Sequence, residues 1–496
     1  MNVKTPLLLA LAASLLALAG CPPKKPRTIS VRDVSRASGA PEISGIVDLG
    51  RRGIIKEAVF EIAGGDGHGV VGEVLLIQGD NFGKQPTTTI GDQPATFLGH
   101  VSTGGILVRV PWGIDAGKVK VEVANHRGRS STTYVIKRVV VVTDGAHAQL
   151  LDLDGKGRLA KRGAAIDVAG AGVVGVSTSG GTAFVAGARA KLTFIALPTG
   201  KVVREKQMPG KRVVAITTAA DRPLSAVITD THVTFLDERN PARVALYTAQ
   251  RLPKAVVDGK PISATLSPDG NRLAILLAEG NKLAIFDAKK PQSLPEPKLV
   301  DALPDARLSV GVGVRFSADS KTAWVLGGDT ARSISGGRQP TRLATIETAA
   351  KPPAVGAPRG ITPPGAPLAV CVARGEPTPP GTSIRRAPAS RSALYASLAP
   401  PELLADKKVA GKGRIVRAEP GKPFAQVASG DWLLAGIDVA GKTQVIVGVG
   451  VRTSATGAGA RIAWTRAAWN DDAKAQVIEL GAAGKDPLAG DVRAQP

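Results

Sequence analysis

Two segments fifty residues apart share one local pattern, and that pattern restricts the chain more than any other feature. Ala264-Thr-Leu-Ser-Pro-Asp-Gly-Asn-Arg-Leu-Ala-Ile-Leu-Leu reads as an apolar strand, a Pro-Asp-Gly turn and a second strand; Asn281-Lys-Leu-Ala-Ile-Phe-Asp adds a third strand ending in aspartate. Val314-Arg-Phe-Ser-Ala-Asp-Ser-Lys-Thr-Ala-Trp-Val-Leu repeats it, and looser copies begin at Val174, Val213 and Leu434. Successive turns near 180, 221, 269 and 319 are 41, 48 and 50 residues apart, the period of a four-stranded unit that buries its faces only against copies of itself. With 58 glycines and 36 prolines in 496 residues, helices cannot run far. The chain is expected to be all-β.

The repeats resemble the WD40-like and YVTN-like bacterial β-propellers. Residues 138–485 hold 348 residues, which at about 45–50 per blade predicts about seven blades, with six as the alternative. The six counts the Pro/Gly-rich stretch near 351–391 as an insertion or a degenerate blade. Ring closure is expected between Arg138-Val-Val-Val-Val and late strands such as 460–480, since an open blade would leave reactive edges. Residues 486–496 are expected to be a C-terminal tail.

Ahead of the repeats, residues 41–137 alternate short strands with turns: Val74-Leu-Leu-Ile, Thr87–Ile90, Ile106-Leu-Val-Arg-Val-Pro, Lys118-Val-Lys-Val-Glu-Val and Thr132-Thr-Tyr-Val-Ile. About seven strands in under a hundred residues predict an immunoglobulin-like sandwich. Gly79, Asn81, Phe82 and Gly83, the Ile90-Gly91 turn with Ala95, Val110-Pro111, and Asn125 with Gly128 resemble the IPT/TIG family. That resemblance implies an extracellular or interaction module without common catalytic residues.

The N-terminus carries an address. Lys4 precedes an apolar run, Pro6 to Ala19, too short for an ordinary membrane span. It ends Leu18-Ala19-Gly20-Cys21 and resembles the lipobox of bacterial lipoproteins. Residues 1–20 are therefore expected to be a lipoprotein signal peptide, Cys21 the lipidated residue, and 21–40 a basic tether. The membrane is then a partner through the N-terminal lipid, and two or three acyl chains suffice for stable anchoring. Pro22 in place of aspartate inclines the expected cell-envelope location to the outer membrane. With Cys21 alkylated, Cys371 has no intrachain disulfide partner.

No catalytic, cofactor-binding or metal-binding residue is assigned from sequence. Gly436-Ile-Asp-Val-Ala-Gly-Lys-Thr fits a phosphate-loop pattern, but the strand-like Gln444-Val-Ile-Val follows where a helix is required. Gly67-His-Gly-Val-Val-Gly lacks the surrounding βαβ unit. Histidines 68, 100, 126, 147 and 232 show no ligand spacing. Asp152-Leu-Asp-Gly-Lys-Gly begins like a calcium loop but has Gly163 at its twelfth position, and it reads as a turn.

Charge is more informative. Of the net +23, about +18 falls in 138–496, while 41–137 is neutral. The preferred reading is a non-catalytic binding or scaffold role at the envelope, with an envelope protein or an anionic polysaccharide as partner. The alternatives are a lactonase-like or quinoprotein-like propeller enzyme and a binder of acidic polysaccharide or lipopolysaccharide. Aromatics make up only 3% of the chain, which disfavours nucleic acid.

Overall fold

The computed structural model describes residues 38–48, 67–101, 104–111, 114–240, 244–303, 313–327, 342–360, 366–374, 392–400, 411–419, 422–440, 445–454, 457–467, 474–482 and 490–495. The signal, Cys21 and most of the tether lie outside them.

The repeats form blades because the turn chemistry repeats. Ser267 Oγ donates to Asp269 Oδ1 and accepts the N–H of Arg272. Ser317, Asp319 and Thr322 repeat both bonds. Each turn then needs one residue in the left-handed region: Gly180 (φ 71°), Gly270 (φ 70°) and Ser320 (φ 63°) supply it. Seven antiparallel sheets result. Six are Val174–Val176 to Lys201–Gln207, Val213–Thr218 to Ala245–Leu246, Pro261–Leu266 to Lys298–Asp301, Gly313–Phe316 to Ala354–Val355, Ala366–Arg374 to Ala425–Gly430, and Trp432–Ala440 to Gln476–Ala482. We number them blades two to seven.

The first blade is built from both ends of the repeat region. Val492–Ala494 is its innermost strand and pairs antiparallel with Val142–Val140; His147–Leu153 and Leu159–Lys161 lie further out. Ring closure thus uses residues expected to be a tail, and not strands within 460–480, which belong to blade seven. The stretch near 351–391 does not remove a blade either. Ala354–Val355 and Arg359–Gly360 edge blade five, and Ala366–Arg374 is the innermost strand of blade six. Among the described residues the wheel has seven blades.

Its interior lies between blades. Buried apolar clusters join each pair of neighbours all the way round, including blade seven to blade one. Strands are therefore apolar on both faces: Val139 and Val141 pack toward blade two, Val140 and Val142 toward blade seven. The outermost strands are wet, as in Lys201–Gln207, which is exposed throughout.

The sandwich packs a sheet of Glu42–Asp48, Val74–Asp80, Ile106–Arg109 and Thr96–His100 against one containing Thr87–Ile90, Gly117–Asn125 and Gly128–Thr143. Its turn residues act together: Asn125 Nδ2 donates to the carbonyls of Asn81 (2.6 Å) and Gly39 (3.0 Å), while its Oδ1 accepts the N–H groups of Arg127 and Gly128. Gly79 (φ 147°) is irreplaceable by geometry, because a Cβ there would collide with the Glu42 carbonyl.

No linker separates the two units. Gly128–Thr143 is one 16-residue strand whose first half pairs with Gly117–Asn125 in the sandwich and whose second half belongs to blade one. The boundary expected at 137/138 falls in mid-strand. Buried Arg138 donates from Nη2 to the Ile114 carbonyl (2.7 Å) and from Nη1 to the Gln495 carbonyl (2.9 Å). Gln495 is wholly buried. Its Oε1 accepts the Val139 N–H (2.8 Å), and its Nε2 donates to the carbonyls of Gly180 (2.6 Å) and Val71 (3.4 Å). The C-terminus thus clasps sandwich, shared strand and second blade.

Candidate functional site

The innermost strands of all seven blades line an axial cavity of about 270 Å³. Every blade contributes residues to its wall. Blades two, three and four present Gly175, Thr217 and Thr265; blades five, six, seven and one present Arg315, Cys371, Asp438 and Arg493. One arc of the wall is neutral and the other is charged.

The charged arc is held in place by the ring. Asp438 Oδ2 accepts the Ala494 N–H at 3.0 Å, so blade seven grips the closing strand. Arg493 faces Asp491 at 3.8 Å, and Asp491 Oδ2 accepts the Val174 N–H at 3.2 Å. Arg315 Nη1 donates to the Val314 carbonyl at 2.8 Å. Among the described residues no carboxylate lies within ion-pair distance of Arg315.

Enclosure shifts the titration of these groups. Burial, then the positive charge of Arg493, pull Arg315 down to about 10, so it remains charged at neutral pH. For Arg493 burial acts downward but is outweighed by Asp491 and Asp438, which raise it. Burial raises Asp438 against the opposing pull of Arg493, and burial also pushes the Cys371 thiol up. A thiol held that way is a poor nucleophile. The wall therefore offers hydrogen-bond donors, two arginines and one carboxylate.

A second cavity, of about 930 Å³, lies where the sandwich meets blade one. His68, Lys118, Lys137, Lys156 and Arg158 line it, with Asp152 and Asp154. Both acids are engaged: Asp152 with Arg162 (2.8 Å) and Lys137 (3.6 Å), Asp154 with Arg158 (2.8 Å). Gly155 approaches Gly117 so closely here that a Cβ on it would meet the Ala116 carbonyl oxygen at 2.7 Å.

The motifs weighed in the sequence fall elsewhere. Gly436–Ala440 of the phosphate-loop pattern lies in a strand, and the next described element, Val445–Ser454, is also a strand. Gly67-His-Gly leads into the short strand Gly69–Val70. Asp154 Oδ1 accepts the N–H groups of Lys156 and Arg158, which makes the calcium-like segment a turn. His147 meets Asp144 and Asp167, His100 the Lys84 carbonyl, and His232 the Thr231 hydroxyl. Among the described residues no three His, Cys, Asp or Glu side chains are grouped to hold a metal ion. Arg315, Asp438 and Arg493 were invisible as a site in the sequence. One signal was present for Arg315: aligned on the turns, it occupies the position of Gly175, Thr217 and Thr265.

The fold and this wall define an immunoglobulin-like module fused to a seven-bladed propeller with a polar axial cavity. Residues 67–136 match the IPT/TIG domain family, and the strand Glu42–Asp48 extends the sandwich ahead of that match. No curated protein matches the chain. Among solved structures, it is similar to a candidate 6-phosphogluconolactonase from Bacteroides uniformis, with 12% identity over 72% of this chain and 99% of that one at a TM-score of 0.47. It is also similar to an auxiliary nutrient binding protein from Bacteroides thetaiotaomicron (13% identity, 84% and 96% covered, TM-score 0.36). A third similarity is to the Cps50 (Swd1) β-propeller domain of Myceliophteria thermophila (13%, 62% and 92%, TM-score 0.38).

Proposed function

We propose that this chain is a cell-envelope lipoprotein, anchored in the outer membrane through lipid on Cys21, whose propeller is a non-catalytic binding module presented by the IPT/TIG domain. The observation that carries the binding role is the axial wall, where Thr217, Thr265, Arg315, Cys371, Asp438 and Arg493 from six blades converge on one cavity. Its thiol is pushed up and its carboxylate already accepts a backbone N–H, which suits recognition better than bond breaking. The continuous strand Gly128–Thr143 and the Arg138–Gln495 clasp support a rigid presentation of the wheel. In-cell crosslinking followed by affinity purification is expected to recover the same envelope partner or ligand with the intact chain repeatedly. Recovery of none would overturn the role. Fatty-acid labelling lost on Cys21→Ser tests the anchor, and labelling retained by that variant would refute it.

A second reading, an acidic-polysaccharide contact, is favoured by the junction cavity. Lys118 and Lys156 face it with no carboxylate at ion-pair distance among the described residues. Binding to heparin as a probe should then fall steeply with salt, and salt-insensitive binding would dismiss it.

A further inference from the structure

The axial wall is lopsided in a way that specifies a ligand. Arg493 has Asp491 opposite it, and Asp438 is tied to the Ala494 N–H. Arg315 is half-buried on the innermost strand Gly313–Phe316, and among the described residues it makes one hydrogen bond, to a carbonyl on its own strand. A guanidinium carries five donors in a planar fork, and Arg315 lines the cavity with one of them used among the described residues. Asp491 and Asp438 act on Arg315 through space, but among the described residues neither reaches ion-pair distance, so burial of this cation is only partly offset. Carboxylate and phosphate groups match the fork in both charge and spacing.

The opposite arc sets the remainder. Thr217 Oγ1 accepts the Leu266 N–H (2.8 Å) and keeps its own proton for donation. Thr265 Oγ1 donates to the Leu266 carbonyl (3.2 Å) and keeps its lone pairs. Gly175 adds bare backbone, and Ile216 and Leu266 add apolar surface. A volume of about 270 Å³ sits at the small end of ligand pockets, which run from about 300 Å³ upward.

Resting on the reading of the propeller as a binding module, we propose that the axial cavity binds one small organic oxyanion, a carboxylate or phosphate monoester of few carbons, with its charged end forked on Arg315 and its hydroxyl-bearing end on the Thr217–Thr265 arc. The same guanidinium chemistry serves both head groups, and the probes separate them.

The test is calorimetric titration of the full chain in detergent with succinate, with glycerol phosphate, and with glycerol as the uncharged comparator. One-site saturation is expected for one of the two anions and none for glycerol. Arg315→Gln should weaken it at least about tenfold, and Arg315→Lys, which keeps the charge but loses the fork, at least about threefold. Exposed Arg212 lies outside the cavity wall, and Arg212→Gln should leave the affinity unchanged. No saturation by either anion at about 10 mM, or wild-type affinity in Arg315→Lys together with Arg315→Gln, overturns the assignment. Should Arg315→Gln not fold, the lysine variant alone decides. An intact titration in a protein with no crosslinked envelope partner would sink the scaffold role while leaving this site standing.

Discussion

Gln495→Ala probes the closure of the wheel with a single side chain. The substitution strips the acceptor from the buried Val139 N–H and the donor from the carbonyls of Gly180 and Val71. A buried donor left without a partner costs about 1–3 kcal/mol, and a carbonyl that loses one donor costs less. The sum is about 3 kcal/mol. An unfolding entropy near 2.1 cal/mol/K per residue over a propeller of about 350 residues gives about 0.7 kcal/mol/K, so the melting temperature should fall by about 4 °C. Arg138→Met should add less on top of Gln495→Ala than it costs alone, because Arg138 grips the carbonyl of the residue that the clasp immobilises. Scanning calorimetry of the full chain in detergent reads both effects. Exposed Lys201→Ala should leave the curve in place. A shift under about 1 °C for Gln495→Ala would show that the C-terminal strand does not bear on the stability of the ring.

Gly155→Val should pry the sandwich from blade one, since its side chain would meet the Ala116 carbonyl; a loss of about 1–3 kcal/mol in a urea titration is expected, and an unchanged midpoint would contradict the close approach. Asp237 is held near a pKa of about 2, chiefly by hydrogen bonding to Arg239 against the opposing effect of burial. Its contribution is therefore complete above the ordinary carboxylate range and is lost as pH falls toward 2. Between pH 4 and 2 the melting temperature of Asp237→Asn should accordingly drop less than that of wild type, and parallel curves would refute this. Cys371 is buried with its thiol pushed up, so a maleimide should label it at neutral pH only after denaturation. Rapid labelling of the folded chain would place it elsewhere.

What the sequence made legible was local. The Ser-Pro-Asp-Gly and Ser-Ala-Asp-Ser turns write their own hydrogen bonds within six residues, so their spacing disclosed the blades. The Gly79–Gly83 and Asn125–Gly128 turns did the same for the sandwich. Closure was not legible, because Val492-Arg-Ala is too short to show any period. The sixth blade was obscured because a proline-rich connection separates its first two strands, Ala366–Arg374 and Ser392–Ala399. Beyond the register of Arg315 on the turns, the axial site could not be read: Arg315, Cys371, Asp438 and Arg493 are each more than fifty residues from the next, and only the circular arrangement of blades brings them onto one wall.

Selenate scatters anomalously and presents the same oxygens as phosphate, so crystals of this protein soaked in it would show directly where an oxyanion is held. An anomalous peak is expected inside the wheel, at hydrogen-bond distance from the Arg315 guanidinium and lost or strongly reduced in Arg315→Gln crystals. Peaks confined to lysines on the outer strands or to the Lys118–Lys156 junction, with none on the axis, would contradict the account.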